Sequence, residues 1–187
     1  MQALDKLSNL VDVKDDCTYD FLGFSLNLKT SSLKDLINPN ASAKLIQWHV
    51  QLLATLLTHY STAQPAPSSG NLVKFKDLPG GYAYEHAFDK RAIKPIAEFF
   101  GENPQRITKA SELLGGTQLN YGDVSFQITA LKGIPLTYIL WKAEEFPASA
   151  NILYDHSASN YLPTEDLAVL GEITTGRLIE ANDKSDS

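Results

Sequence analysis

The chain has 187 residues, 43% hydrophobic and 20% charged, so it is long enough to bury a core without a structural metal or a disulfide. Its formal net charge of -6, with Lys and Arg scattered singly, argues against the clustered basic face that nucleic-acid binding requires. Cys17 is the only cysteine, which excludes an intrachain disulfide and any site built from several thiolates.

The first third of the chain predicts a short helix, a strand and a long helix. Met1 to Leu10 has Leu residues at a spacing of three, typical of an amphipathic helix, and lacks the continuous apolar core of a signal peptide. Phe21 to Lys29 alternates apolar and polar residues, as a half-buried strand does. Pro39-Asn40-Ala41-Ser42 then supplies a break and a helix cap, and apolar residues recur at helical spacing to Tyr60, which predicts a helix central to the core.

The middle of the chain predicts a loop followed by a broken helix. Ser61 to Gly70 is rich in Ser, Pro and Ala, a composition typical of a flexible connector. Gly80-Gly81 predicts a sharp turn that can take positive φ angles. The helical pattern from Tyr84 to Phe100 contains Pro95, whose missing N–H group predicts a kink or a restart near Ile93.

The last third of the chain changes to the spacing of strands. Val124 to Ala130 and Ile134 to Trp141 both alternate, and a turn at Lys132-Gly133 predicts that they form an antiparallel hairpin. Ile152 to Tyr154 is a third strand of the same meander, and Thr164 caps a final helix.

These elements predict a single α+β domain over residues 1–180, followed by a disordered tail over residues 181–187. We expect an antiparallel sheet with a C-terminal β-meander and with helices packed mainly on one face. No stretch approaches the ~18 consecutive apolar residues of a membrane-spanning helix, so we expect a cytoplasmic protein without a membrane partner.

Polar side chains concentrate between Trp141 and Asp166, where the last strands lead into the final helix. Many of them, such as Ser157 and Thr164, are what turns and helix caps require. The residues that exceed this requirement are the candidate site residues Glu145, Asp155, His156 and Tyr161.

The same residues suggest acid–base or metal chemistry as an alternative. Glu145, Asp155 and His156 together carry the groups that move protons or hold a divalent ion, provided that they converge in one cleft. Consecutive residues on an extended chain diverge, so Asp155-His156-Ser157 does not form a hydrolase triad, and no GxSxG motif surrounds Ser157. We assign no metal, cofactor or catalytic residue from this pattern.

A second polar cluster follows the glycine turn, and its candidate residues are Gly80, Gly81, Tyr84 and Arg91. A glycine turn that opens a helix can cradle an anion, and an arginine can bind a carboxylate or phosphate with two hydrogen bonds. Neither a Walker A motif nor GxGxxG is present, so a plain turn and helix start explain the same residues.

Two segments, LPGGYAYEHAF and PLTYILWKAEEFPASANILYDHSASNYLPTEDLAVLGE, resemble a family of domains of unknown function, DUF3786, found mainly in anaerobic bacteria and archaea. The resemblance covers about Trp48 to Leu178 and carries no established activity. It implies a set of signature positions: Gly80, Gly81, Arg91, Trp141, Glu145, Phe146, Pro147, Asp155, Ser157, Tyr161, Glu165, Asp166 and Gly171.

The resemblance also implies an association with iron–sulfur and corrinoid proteins, because some relatives are joined to a cysteine-rich domain similar to one in corrinoid proteins of one-carbon metabolism. With Cys17 alone this chain cannot hold such a cluster, so the cluster would belong to a separate partner protein.

Three hypotheses follow. The first is a binding module for a small molecule, a cofactor or a partner protein, which uses both polar clusters. The second is an enzyme with a carboxylate and histidine site, metal-assisted in one version. The third is that the signature residues are purely structural.

Overall fold

The N-terminal part of the chain forms a small antiparallel sheet in the computed structural model, which describes residues 6–185. Residues 1–5 of the predicted N-terminal helix and residues 186–187 of the predicted tail lie outside that range. The strands are β1 (Thr18–Phe21), β2 (Phe24–Asn27) and β3 (Ser32–Asp35). The half-buried strand predicted from Phe21 to Lys29 is confirmed over Phe24–Asn27 as β2. Its predicted start is wrong, because Leu22 and Gly23 take positive φ angles of 48° and 71° and turn the chain into a hairpin in which Phe21 ends β1.

Helix α1 (Ala43–Tyr60) begins as predicted, with the Ser42 hydroxyl accepting a hydrogen bond from the amide of Leu45 at 3.3 Å. It buries one face, which includes Leu53 and Leu56, while Trp48 on the other side stays 54% exposed. The helix therefore lies at the boundary of the core rather than at its centre, which corrects the prediction.

The larger sheet has five antiparallel strands in the order β4-β8-β7-β6-β5. They are β4 (Leu72–Lys74), β5 (Thr117–Leu119), β6 (Val124–Leu131), β7 (Ile134–Trp141) and β8 (Ser149–Asp155). The predicted hairpin and its third strand are confirmed as β6, β7 and β8. The α+β class and the C-terminal meander are therefore confirmed, and β4 adds an edge strand from an earlier part of the chain.

The segment between β4 and β5 is a series of short helices. It contains a 3-10 turn (Gly81–Tyr84), α2 (Glu85–Phe88), a π-helical turn (Asp89–Ile93), α3 (Lys94–Phe100) and α4 (Gln105–Leu113). The break predicted near Ile93 is confirmed. Pro95 cannot donate a backbone hydrogen bond, and the wider π-helical turn immediately before it accommodates that loss.

Helix α5 (Thr164–Ser185) packs across one face of the larger sheet and lies at the centre of the core. The Tyr154 hydroxyl on β8 donates to the carbonyl of Leu167 at 2.8 Å. The close approach of α5 to Tyr154 and Phe88 requires a glycine at position 171, because a Cβ there would lie 2.5 Å from the Tyr154 hydroxyl and 2.6 Å from Phe88 Cε2. The helix continues through residues 181–185, which the sequence placed in a tail, so the predicted boundary at residue 180 lies inside a helix.

A buried ion pair joins α5 to the small sheet. The Arg177 guanidinium donates to both carboxylate oxygens of Asp35, at 2.8 and 2.7 Å, and its Nε donates to the carbonyl of Leu22 at 3.0 Å. Both side chains are 1% exposed, and the guanidinium lies 4.0 Å from the centre of the Phe24 ring. Burial raises the pKa of Asp35, but hydrogen bonds from Arg177 and the Asn38 amide outweigh burial and lower it. Arg177 therefore fixes how the two sheets sit on a shared core.

Within residues 6–185, none of the helices combines the length and the apolar character needed to cross a bilayer.

Candidate functional site

The polar stretch from Trp141 to Asp166 is divided by β8 into two separate regions. Glu145 lies in the loop before the first residue of this strand, and Asp155 is its last residue. At about 3.3 Å per residue, the strand keeps its two ends about 20 Å apart. The candidate residues in this stretch therefore do not share one cleft.

Asp155 is a structural anchor for the segment that precedes β4. Its carboxylate accepts hydrogen bonds from five groups: Ser68 Oγ at 2.6 Å, Ser69 N at 3.0 Å, Ser69 Oγ at 2.7 Å, Gly70 N at 2.9 Å and Ser157 N at 2.8 Å. A carboxylate offers about four lone-pair positions, so no acceptor capacity remains for a ligand. The segment Ser61 to Gly70, predicted to be a flexible connector, is therefore held in place at its C-terminal end.

The protonation state of Asp155 agrees with this role. Burial of the carboxylate, which is 2% exposed, raises its pKa, but the hydrogen bonds from Ser157, Ser68 and Ser69 outweigh burial. The pKa of Asp155 therefore lies far below its ordinary value, and the group is a permanent anion rather than a proton donor at neutral pH.

Tyr161 holds the same segment from the other side, and His156 lies at the surface. The Tyr161 hydroxyl donates to the carbonyl of Ala66 at 2.7 Å, and its ring stacks on Tyr60 with centroids 6.2 Å apart. The His156 amide donates to the carbonyl of Asn71 at 2.9 Å and extends the pairing of β4 with β8, while its side chain is exposed. The chemistry of Tyr161 is therefore used inside the fold.

The geometry required by the metal and acid–base alternative is missing. Glu145 lies at the opposite end of β8 from Asp155 and His156, so the three side chains do not converge. Among the residues that the structure describes, no three His, Cys, Asp or Glu side chains are grouped as metal ligands would be.

The second predicted cluster packs against α5. Gly80 takes a φ angle of 78°, as the turn requires, and the Gly81 amide donates to the carbonyl of Leu78 at 2.8 Å. The Tyr84 hydroxyl donates to Glu165 at 3.3 Å, and Arg91 lies 3.5 Å from Glu172. Glu165 and Glu172 are two helical turns apart, about 10 Å, so Tyr84 and Arg91 contact different parts of α5.

The other region of the polar stretch is the loop Trp141–Pro147 between β7 and β8, which we name the acidic aromatic loop. Its backbone is fixed: the Ala143 amide donates to the carbonyl of Gly101 at 3.2 Å, and the Lys142 amide donates to Asp123 at 2.9 Å. The Glu144 amide donates to the carbonyl of Phe146 at 3.1 Å and closes a tight turn. These bonds tie the loop to Gly101 and Asp123 and close its turn.

The turn presents aromatic side chains to solvent. Phe146 is 79% exposed, and Trp141 at the start of the loop is 37% exposed. The loop borders an open groove of about 800 Å³, which is lined by Asp123, Trp141, Lys142, Glu144, Glu145, Phe146, Pro147, Ser149 and Asn151. Large aromatic side chains in a rigid exposed turn are typical of a recognition surface.

The charge of this surface is negative. Among the described residues that line the groove, Asp123, Glu144 and Glu145 provide three carboxylates and Lys142 is the one cation. Lys142 pairs with Glu144 at 2.7 Å, which leaves Asp123 and Glu145 to determine the sign of the surface. All three carboxylates are exposed, so the negative field of this surface reaches into the solvent.

Sequence reasoning named Glu145 as a candidate site residue, whereas Phe146 entered only as a signature position that the family resemblance implies. A phenylalanine between Glu and Pro in a short loop that joins two strands was the available signal, because turn chemistry does not require an aromatic residue there. The Asp35–Arg177 pair was missed, since no local pattern marks a pair separated by most of the chain.

A family model described as "Domain of unknown function (DUF3786)" matches residues 30–177. The matched range includes the acidic aromatic loop, Asp155 and Arg177. No curated protein and no solved structure matches the chain.

Proposed function

The chain belongs to the family of domains of unknown function DUF3786, and from that premise we propose that it is a binding module whose acidic aromatic loop docks a basic partner protein. The observation that carries this proposal is the 79% exposure of Phe146 on a turn fixed by backbone hydrogen bonds. A single exposed ring is ordinary, but Phe146 shares one groove with Trp141 and with exposed carboxylates, and an aromatic patch with a polar rim is typical of an interaction site.

The energetics of the loop suit protein recognition. Burying an aromatic side chain contributes about 1.5–3 kcal/mol, which is the scale of an interface hot spot. Because the backbone of the loop is already held by Gly101 and Asp123, docking requires little additional ordering. Trp141 supplies a second apolar contact beside Phe146 on the same groove.

Charge complementarity selects the kind of partner. The carboxylates of Asp123 and Glu145 favour a surface that carries Lys or Arg around an apolar pocket. A second copy of this chain is disfavoured, because each copy has a formal net charge of -6.

An iron–sulfur or corrinoid partner protein, which the family resemblance implies, is one candidate for this role, and a cytoplasmic location is part of the same proposal. The hypothesis that the signature residues are purely structural is supported for those at the C-terminal end of β8, where Asp155 and Tyr161 use their polar atoms in hydrogen bonds within the fold. The two hypotheses thus apply to different residues.

The experiment is affinity purification of the tagged full-length protein from its native host, with quantitative mass spectrometry. Four proteins are compared: the wild type, Phe146→Ala, Glu145→Lys and Tyr82→Ala. Tyr82 is the matched control, because it is 80% exposed on a different part of the chain. We expect a basic protein to be retained by the wild type and Tyr82→Ala, and its recovery to fall about tenfold or more with the two loop variants.

Equal recovery of the same proteins with all four baits would overturn the proposal. So would a partner that is lost with Tyr82→Ala and retained with Phe146→Ala, because the binding surface would then lie elsewhere.

A further inference from the structure

A second concave site lies between α1 and α5, away from the acidic aromatic loop. This α1–α5 groove has a volume of about 330 Å³, and the chemically distinctive residues that line it are Trp48, His49, Arg91, Glu172, Arg177 and Glu180. A volume of this size is at the lower end of small-ligand sites. The charges that face the groove indicate which ligand it can hold.

Arg177 cannot serve as an anion receptor. Its Nη1 donates to Asp35 at 2.8 Å and to Glu180 at 2.5 Å, and its Nη2 donates to Asp35 at 2.7 Å and to the carbonyl of Gly23 at 3.2 Å. Nε donates to the carbonyl of Leu22 at 3.0 Å. All five guanidinium hydrogens are therefore used by the protein.

The remaining charges of the groove favour a cation. Arg91 is 65% exposed and lies 3.5 Å from Glu172, a long contact that holds neither group firmly. Glu180 keeps 38% of its side chain exposed beside Arg177. An anion in the groove would meet the carboxylates of Glu172 and Glu180, whereas a cation would be attracted to both.

The apolar wall of the groove also favours a cation over an anion. The Trp48 indole is 54% exposed, and its ring centre lies 5.0 Å from that of His49. The face of an indole attracts cations more strongly than that of any other side-chain ring.

The His49 imidazole, 4% exposed, completes this wall, and its Nδ1 has no hydrogen-bond partner within residues 6–185. Burial lowers the pKa of His49, against an opposing effect of the Glu180 charge, so the ring is neutral at neutral pH and adds no positive charge. The ring therefore contributes an uncharged surface to the groove and does not repel a cation.

We propose that the α1–α5 groove binds a small organic ammonium ion, whose charged nitrogen lies beside the Glu172 carboxylate and whose carbon chain covers the Trp48 indole, with the charge of Glu180 adding to the attraction from further along α5. The geometry carries this assignment: two carboxylates, one exposed indole and one unpartnered buried imidazole line a single groove whose buried arginine is fully occupied. This site is independent of the acidic aromatic loop.

The test uses three probes of equal chain length and different charge: butylammonium, butanol and butyrate. The chain contains two tryptophans, so the indole region of a ¹H–¹⁵N spectrum of the wild type shows two side-chain signals. We expect butylammonium, at constant ionic strength, to shift the Trp48 signal saturably and to leave the Trp141 signal in place. Butanol and butyrate at the same concentration leave both signals unchanged.

Two variants complete the experiment. Glu172→Gln removes a carboxylate from the groove, and Glu165→Gln removes one from the same helix outside it. We expect Glu172→Gln to weaken butylammonium binding about tenfold or more, and Glu165→Gln to leave it unchanged. A Trp48 signal that ignores butylammonium, follows butyrate, or moves only together with Trp141 would overturn the assignment, and each result leaves the partner proposal to its own test.

Discussion

Glu145 lies in the loop before β8 and Asp155 is the last residue of β8, whose two ends are about 20 Å apart by the rise of an extended strand. Asp155 is buried and accepts five hydrogen bonds, whereas Glu145 is exposed. One continuous polar stretch therefore serves folding at one end of β8 and, by our proposal, recognition at the other. Substitutions at the two ends should separate stability from binding.

Asp155→Asn should destabilise the protein by about 2–4 kcal/mol at pH 7. The asparagine NH₂ group replaces a carboxylate oxygen that accepts hydrogen bonds, so donors such as Ser69 Oγ and Gly70 N would face another donor. Urea denaturation followed by circular dichroism measures the change in the free energy of unfolding.

The free energy by which the Asp155 carboxylate stabilises the fold should depend on pH. The folded-state pKa of Asp155 is depressed, so its contribution is complete above the unfolded pKa of about 3.9 and is lost as pH falls below that value. The stability difference between wild type and Asp155→Asn should therefore narrow between about pH 5 and pH 3. A difference that stays constant over this range would contradict the role of the charge.

Arg177→Ala should cost about 3–5 kcal/mol, since it leaves the Asp35 carboxylate buried without its partner. Arg91→Ala is the matched control, because Arg91 is 65% exposed and its contact with Glu172 is long, so its cost should stay within about 0.5 kcal/mol. Thermal and urea unfolding of both variants measure the two losses in the free energy of unfolding. Similar losses for Arg177→Ala and Arg91→Ala would show that the buried pair is not what joins α5 to the small sheet.

Gly171→Ala and Gly176→Ala should change stability in opposite directions although both lie in α5. A Cβ at Gly171 would lie 2.5 Å from the Tyr154 hydroxyl, so the core must shift and the variant should lose about 1–3 kcal/mol. A Cβ at Gly176 meets no atom within 4 Å, so alanine should stabilise the helix by about 0.5–1 kcal/mol. Equal effects on the unfolding midpoint would contradict the close packing at Gly171.

Phe146→Ala should leave the free energy of unfolding within about 0.5 kcal/mol of the wild type, because the ring is 79% exposed. Phe126→Ala, which removes a ring that is 2% exposed, should cost about 3–5 kcal/mol under the same conditions. A large loss of stability with Phe146→Ala would mean that the ring belongs to the fold and has no need of a partner.

Local patterns predicted those elements whose cause is local. The Ser42 cap, the β6–β7 hairpin around Lys132-Gly133 and the break before Pro95 all depend on residues within one or two turns of each other. The turn at Leu22-Gly23 was missed, because alternation continues across it and only the positive φ angles reveal it.

Contacts between distant residues could not be predicted in this way. Asp155 holds Ser68 and Ser69 across separations of 87 and 86 residues, and Arg177 holds Asp35 across 142 residues. The Ser61 to Gly70 segment has the composition of a flexible connector, yet the partner that orders it lies on β8. At the candidate site, sequence reasoning found the acidic charge of Glu145 and could not tell that Phe146 beside it is exposed.

The most direct test of the docking proposal is photo-cross-linking in living cells of the native host, with a benzophenone amino acid placed at position 146 or, as the control, at position 82. Both native side chains are about 80% exposed, so an unspecific adduct has an equal chance at either position. The proposal predicts a discrete adduct with a basic protein at position 146, which Glu145→Lys abolishes, and no such adduct at position 82. The same adducts at both positions, or none at position 146, would contradict it.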